Sequence, residues 1–141
     1  MYLISAYFDE NTNKILKHLQ QRIADKTGND FMIRNNVMPH LTISAIEARN
    51  IDVLIPEFEK VCRGKLQPLE EKSVANNTIN IVSLGQLFPR VIYAAPVLNE
   101  YMMNLSISIY NEFATIPETN ISKFYQPYSW MPHITPVSYT H

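Results

Sequence analysis

The sequence predicts an α+β fold with mixed or antiparallel sheets, outer helices and a central cleft. Three observations support this class: apolar runs of strand length, apolar stripes at helical spacing, and a pentapeptide that occurs twice. MPHLT at residues 38–42 returns as MPHIT at residues 131–135. The order of strand, helix, polar loop and pentapeptide is the same around both copies. We therefore expect one bilobal domain over residues 1–141, built from a duplicated β-α-β-type unit with pseudo-symmetric halves at roughly 1–85 and 86–141.

The first half begins with a strand and a helix. Residues 2–8 are apolar or aromatic on both alternating faces, which predicts a buried strand. Asp9 and the residues up to Thr12 offer helix caps, and Thr27-Gly28 closes the helix. The apolar residues at helical spacing between these ends are Ile15, Leu16, Leu19 and Ile23. The first pentapeptide then enters a strand predicted over residues 40–46.

A second helix is predicted over residues 52–63, where Pro56 limits its extent. Its inward residues are expected to be Leu54, Phe58, Val61 and Cys62. Strands follow at 66–69, 79–84 and 91–97. Asn99 can cap the next helix, whose apolar stripe is Tyr101, Met102, Leu105, Ile109 and Phe113. An aromatic loop over 124–130 leads to the second pentapeptide, and Pro136 predicts an early end to its strand.

Composition narrows the class of protein. Twelve Lys and Arg residues against thirteen Asp and Glu give a net charge of −1, which argues against a dedicated duplex-DNA binder. The only cysteine, Cys62, excludes an intrachain disulfide and favours a reducing compartment. No segment approaches the roughly 18 apolar residues of a membrane span, and the N-terminus lacks a basic n-region. We expect a cytoplasmic protein without membrane association.

The two pentapeptides carry the candidate chemistry. Residues two apart on a strand share a face, so His40 lies beside Thr42 and His133 beside Thr135. If the halves pack about a pseudo-two-fold axis, these polar faces meet across a cleft. One neutral histidine could then remove a proton while a protonated one donates, and the threonines could bind phosphate oxygens. Neither a metal nor another cofactor is expected, because the spacing of His and Cys fits no metal motif.

These motifs resemble the paired His-x-Thr signatures of the 2H phosphoesterase superfamily, which includes 2'-5' RNA ligase-like proteins and cyclic phosphodiesterases. The resemblance implies a bilobal α+β fold and metal-independent attack on 2',3'-cyclic or 2'-5' phosphodiesters of a nucleotide or RNA end. It makes His40 and His133 the catalytic pair, and Thr42 and Thr135 the phosphate ligands. The chain ends six residues after Thr135, whereas relatives usually continue with a further helix and strand.

Several alternatives stay open from the sequence. The same four residues could hold a cyclic or terminal nucleotide phosphate in a non-catalytic binding module, or support RNA ligation. The histidines could also remain from an old duplication without chemistry. Further substrate contacts are predicted at Arg34, Lys123, Tyr125, Tyr128 and Trp130. Each has a structural interpretation as well, either as a surface cation or as an aromatic residue that packs its loop.

Overall fold

The computed structural model describes residues 1–65, 78–87 and 91–138, and it has the predicted α+β class. The helices in these ranges are α1 (Glu10–Thr27), α2 (Phe31–Arg34), α3 (Ile55–Lys65) and α4 (Glu100–Phe113). The strands are β1 (Tyr2–Tyr7), β2 (His40–Glu47), β3 (Ile81–Leu87), β4 (Val91–Pro96), β5 (Asn120–Ile121) and β6 (Ile134–Ser138). They form an antiparallel sheet in the order β1-β2-β6-β4-β3, and β5 pairs with β2. The strand predicted at 66–69 lies outside the described residues.

The chain forms two compact units, each assembled from three segments. The helical unit comprises Met1–Ile4, Ile43–Asn80 and Val97–Met131. The motif unit comprises Ser5–Thr42, Ile81–Pro96 and Pro132–His141, and it contains both His-x-Thr motifs. Each unit draws on both sides of the predicted boundary at residue 85. The pseudo-symmetric halves remain a prediction.

Helix α1 covers the sheet of the motif unit. Asp9 caps it by accepting a hydrogen bond from the backbone N–H of Thr12 at 2.8 Å, and this bond lowers the pKa of the Asp9 carboxyl. Gly28 ends the helix in the left-handed conformation, with φ +73°. Both α1 and α2 pack against β6. The buried residues of α1 are Leu16, Gln20 and Ala24, one turn apart, whereas Ile15 of the predicted stripe is exposed.

Helices α3 and α4 pack against each other in the helical unit. Pro56 is the second residue of α3, a first-turn position where its missing N–H costs no helical hydrogen bond. Phe58 is exposed rather than inward as predicted, while Leu54 and Val61 are buried. Helix α4 begins after Asn99, whose Oδ1 accepts from the Met102 N–H at 2.9 Å. Its predicted stripe includes four buried residues, Met102, Leu105, Ile109 and Phe113.

The prediction of a fully buried first strand was wrong. Leu3 and Tyr7 of β1 are 58% and 67% exposed, and both lie on the same face of the strand. Antiparallel sheets can leave one face open to water, whereas parallel sheets are usually covered on both faces. The apolar character of residues 2–8 therefore did not require two covering layers.

The prediction that Pro136 ends its strand early was also wrong, because β6 continues to Ser138. Ile92 pairs with Val137 and Ala94 with Ile134, so Thr135 and Pro136 together lie opposite Tyr93 alone. This two-against-one arrangement is a β-bulge, which leaves one residue without a ladder partner. A proline, which lacks the N–H donor, is tolerated there.

No helix in the described ranges is long and apolar enough to span a lipid bilayer.

Candidate functional site

The register of β2 and β6 brings the two His-x-Thr motifs side by side. Leu41 pairs with Ile134 in antiparallel orientation, and these are equivalent positions of the two pentapeptides. In an antiparallel ladder, the residue before one partner lies opposite the residue after the other. His40 therefore faces Thr135, and His133 faces Thr42. Directly opposite Cα atoms are about 4.5–5.5 Å apart in such a ladder.

All four polar side chains lie on the same face of this strand pair. Side chains alternate along a strand, so the residues on either side of Leu41 and Ile134 point away from them. Leu41 and Ile134 are each 1% exposed, which places them in the core under the sheet. His40, His133 and Thr135 are half-buried, and Thr42 is buried. The four predicted site residues are therefore gathered on one face of the motif unit.

A backbone hydrogen bond fixes the tautomer of His40. Its Nδ1 lies 2.7 Å from the carbonyl oxygen of Met38. A carbonyl can only accept, so Nδ1 carries the hydrogen and donates it. The neutral ring then has its lone pair on Nε2, and the protonated ring has a second N–H there. Nε2 of His40 can thus act as a base or as an acid, depending on charge.

Strand β1 adds two residues to this face that the sequence analysis did not assign. The Oγ of Ser5 lies 3.5 Å from Oγ1 of Thr42. The ring of Tyr7 lies beside His40, with centroids 6.0 Å apart and planes tilted by 46°. The signal in the sequence was the period-two spacing of Ser5 and Tyr7 within a predicted strand, which places both on one face.

Strand β4 supplies a tyrosine beside the second histidine. The rings of Tyr93 and His133 have centroids 6.0 Å apart and an interplanar angle of 73°, an edge-to-face arrangement. Each histidine of the pair therefore has a tyrosine neighbour on an adjoining strand, at the same centroid distance. Tyr93 was also missed, because nothing local in the sequence shows which residue of β4 lies near the second motif.

Arg34 ends α2 in the motif unit. Its Nε lies 3.4 Å from Oδ1 of Asp30, one turn earlier in the chain, and both side chains are largely exposed. Such an exposed i,i+4 pair contributes only a few tenths of a kcal/mol. The pair can open at little cost if a phosphate binds, so a substrate contact by Arg34 remains a prediction.

The other predicted contacts lie in the helical unit. Trp130 is 6% exposed, so its ring packs in the interior of that unit. Burial also raises the pKa of the Tyr125 phenol. The Lys123 ammonium lies 5.3 Å from the centroid of the Phe124 ring, as in a cation–π contact. Tyr128 is 85% exposed and has a positive φ of 66°. The burial of Trp130 and Tyr125 agrees with the packing interpretation, and a substrate contact by either residue remains a prediction.

In the ranges that the structure describes, no group of three or more His, Cys, Asp or Glu side chains could hold a metal ion. Cys62 is half-buried.

A scan against protein-family models found no match to this chain, and a search of curated proteins found none either.

Proposed function

We propose that this chain is a metal-independent phosphoesterase of the 2H type, in which His40 and His133 act as general acid and general base. Its substrate would be a nucleotide or RNA end with a 2',3'-cyclic or 2'-5' phosphodiester. The observation that carries the proposal is the pairing of Leu41 with Ile134. This register places two imidazoles and two hydroxyls on one face, which is the set that phosphodiester cleavage needs.

Hydrolysis of a 2',3'-cyclic phosphate requires one proton to be removed and one to be supplied. The oxygen of water attacks phosphorus, and its proton passes to the unprotonated ring nitrogen of the neutral histidine. The bond from phosphorus to one ribose oxygen breaks, and the protonated histidine donates a proton to that oxygen. The product is a phosphate monoester with a free ribose hydroxyl. The histidines end with exchanged protonation states and return to the starting state through solvent.

The threonines stabilise the charge that builds on the phosphate. Each hydroxyl can donate to a non-bridging oxygen, and such prealigned donors matter most where charge develops in the transition state. His40 faces Thr135 and His133 faces Thr42, so each hydroxyl lies across from an imidazole rather than only beside one along its own strand. A phosphate above the centre of this group would be within reach of both kinds of side chain.

We further propose that the chain arose by duplication of a β-α-β-type unit and is bilobal. The strand order supports this, because β2 and β6 lie together, β1 follows β2 outward and β4 follows β6. Equivalent residues of the two motifs pair at Leu41 and Ile134, as a two-fold axis between the strands would require. The aromatic neighbours of the two histidines also lie on β1 and β4, the strands next to β2 and β6 that this axis would relate.

Hydrolysis of 2',3'-cyclic nucleotides is the first test, and we expect it to survive exhaustive treatment with EDTA. Both proton transfers are assigned to histidines, so removal of divalent ions should leave kcat unchanged. The control is the same protein with Mg²⁺ or Mn²⁺ added back. Loss of activity on chelation and recovery with a divalent ion would point to a metal-dependent phosphoesterase instead. Binding of the nucleotide without turnover would favour the non-catalytic binding module.

A further inference from the structure

The ring of Tyr93 occupies space that exists only because residue 85 is glycine. Gly85 of β3 is the register partner of Tyr93 on β4. A Cβ built on Gly85 would lie 2.9 Å from Cε1 of Tyr93 and closer still to Cζ and Oη. Side-chain carbons do not approach so closely, so an alanine here would have to displace the phenol ring. The ring therefore lies directly across the glycine backbone.

The same ring lies against His133 on its other side. The two rings are 6.0 Å apart at their centroids and nearly perpendicular, the edge-to-face geometry that aromatic pairs prefer. Tyr93 is half-buried, whereas Tyr7 beside His40 is 67% exposed on the strand at the end of the sheet order. Of the two tyrosines, Tyr93 is thus the less exposed, and its ring packs against β3 at Gly85.

We propose that Gly85 and Tyr93 are positioning residues for His133. The missing side chain of Gly85 leaves room for the phenol ring, and the ring in turn fixes the orientation of the imidazole. Neither residue needs to touch the substrate in this account. A methyl group at residue 85 would move the ring away from His133, while His40 keeps its own neighbours, Tyr7 and the Met38 carbonyl. The effect on turnover rests on the proposed function, but the effect on the ring of His133 does not.

Nuclear magnetic resonance of the imidazole signals tests the positioning directly. We expect Gly85→Ala and Tyr93→Ala to shift or broaden the signals of His133 and to leave those of His40 unchanged. Tyr7→Ala should do the reverse. Gln86→Ala is the matched control, because Gln86 is the next residue of β3, is exposed and lies on the opposite face; it should change neither histidine. Unchanged His133 signals in Gly85→Ala or Tyr93→Ala would overturn the proposal.

Kinetics test whether Gly85 acts through Tyr93. We expect Gly85→Ala and Tyr93→Ala each to lower kcat about 10- to 10²-fold, the range set by a small misplacement of a catalytic group. The kcat of the double variant should be no lower than that of Tyr93→Ala, since the ring that a methyl group at residue 85 would displace is then absent. Tyr93→Phe should keep kcat, because it retains the aromatic ring that lies edge-to-face with His133.

Two outcomes would contradict this account. A Gly85→Ala change that lowers kcat equally with and without the Tyr93 ring would show that Gly85 acts by another route. Loss of the His40 signals together with those of His133 would show general unfolding of the site. Should Gly85→Ala fail to fold, Tyr93→Ala keeps the glycine and gives the same spectroscopic test. If the protein hydrolyses no cyclic phosphate, the proposed function fails, and the imidazole signals still decide the positioning.

Discussion

Alanine at His40 or His133 is expected to lower kcat/KM for a 2',3'-cyclic nucleotide about 10²- to 10⁴-fold. This range is the usual contribution of a positioned general acid or base. It corresponds to about 3–5 kcal/mol of transition-state stabilisation. The double variant should be much less than multiplicatively worse, because the two groups act as one unit on a single phosphodiester.

Folding should be little affected by these two changes. Both imidazoles are half-buried on the face that points away from Leu41 and Ile134. The core contacts of the same strands come from Leu41 and Ile134. The thermal midpoint of each variant should therefore stay near that of the wild-type protein. His18→Ala is the matched control, since His18 is exposed on α1, and it should leave activity unchanged. Near-wild-type turnover in either single variant, or unfolding of both, would exclude these histidines as the catalytic pair.

Valine at Thr42 or Thr135 should lower kcat about 10²- to 10³-fold. Valine has nearly the shape of threonine but no hydroxyl, and loss of one donor to a developing oxyanion has this effect in other enzymes. The change should fall on kcat more than on KM, because the donors act most strongly on the charge of the transition state. Steady-state kinetics on the cyclic nucleotide measures both constants.

The control for the threonine variants is Thr115→Val. Thr115 is exposed in the helical unit, where its hydroxyl donates to the Glu112 carbonyl. Activity of this variant should match the wild type. If Thr42→Val and Thr135→Val change neither kcat nor KM, both threonines are ordinary strand residues. A rise in KM alone would mean that the hydroxyls bind the ground state and the transition state equally.

Local chemistry made several elements predictable from the sequence. The ends of α1 follow from the cap at Asp9 and the left-handed Gly28, and α4 follows from Asn99. These signals act within one helical turn, so no long-range information was needed. The common face of His40 and Thr42 follows equally simply from the period of a strand.

Long-range pairing could not be read from the sequence in the same way. The pairing of Leu41 with Ile134 joins residues 93 positions apart, and the repeated pentapeptide was the one sequence feature that indicated it. The packing of the Tyr93 ring against Gly85 depends on the register of β3 with β4, and no local sequence pattern indicates that register. The exposure of Phe58 likewise depends on which face of α3 meets α4, and its apolar character alone could not show that.

The dependence of kcat/KM on pH tests the central claim most directly, since that claim requires one neutral and one protonated histidine at once. For the wild-type protein acting on a 2',3'-cyclic nucleotide in EDTA, we expect a bell-shaped profile, because the rate falls both when the base is protonated and when the acid is deprotonated. Both limbs belong to the interacting pair rather than to a single residue. A profile that is flat, or that has only one limb between about pH 5 and 8, would contradict a histidine acid–base pair.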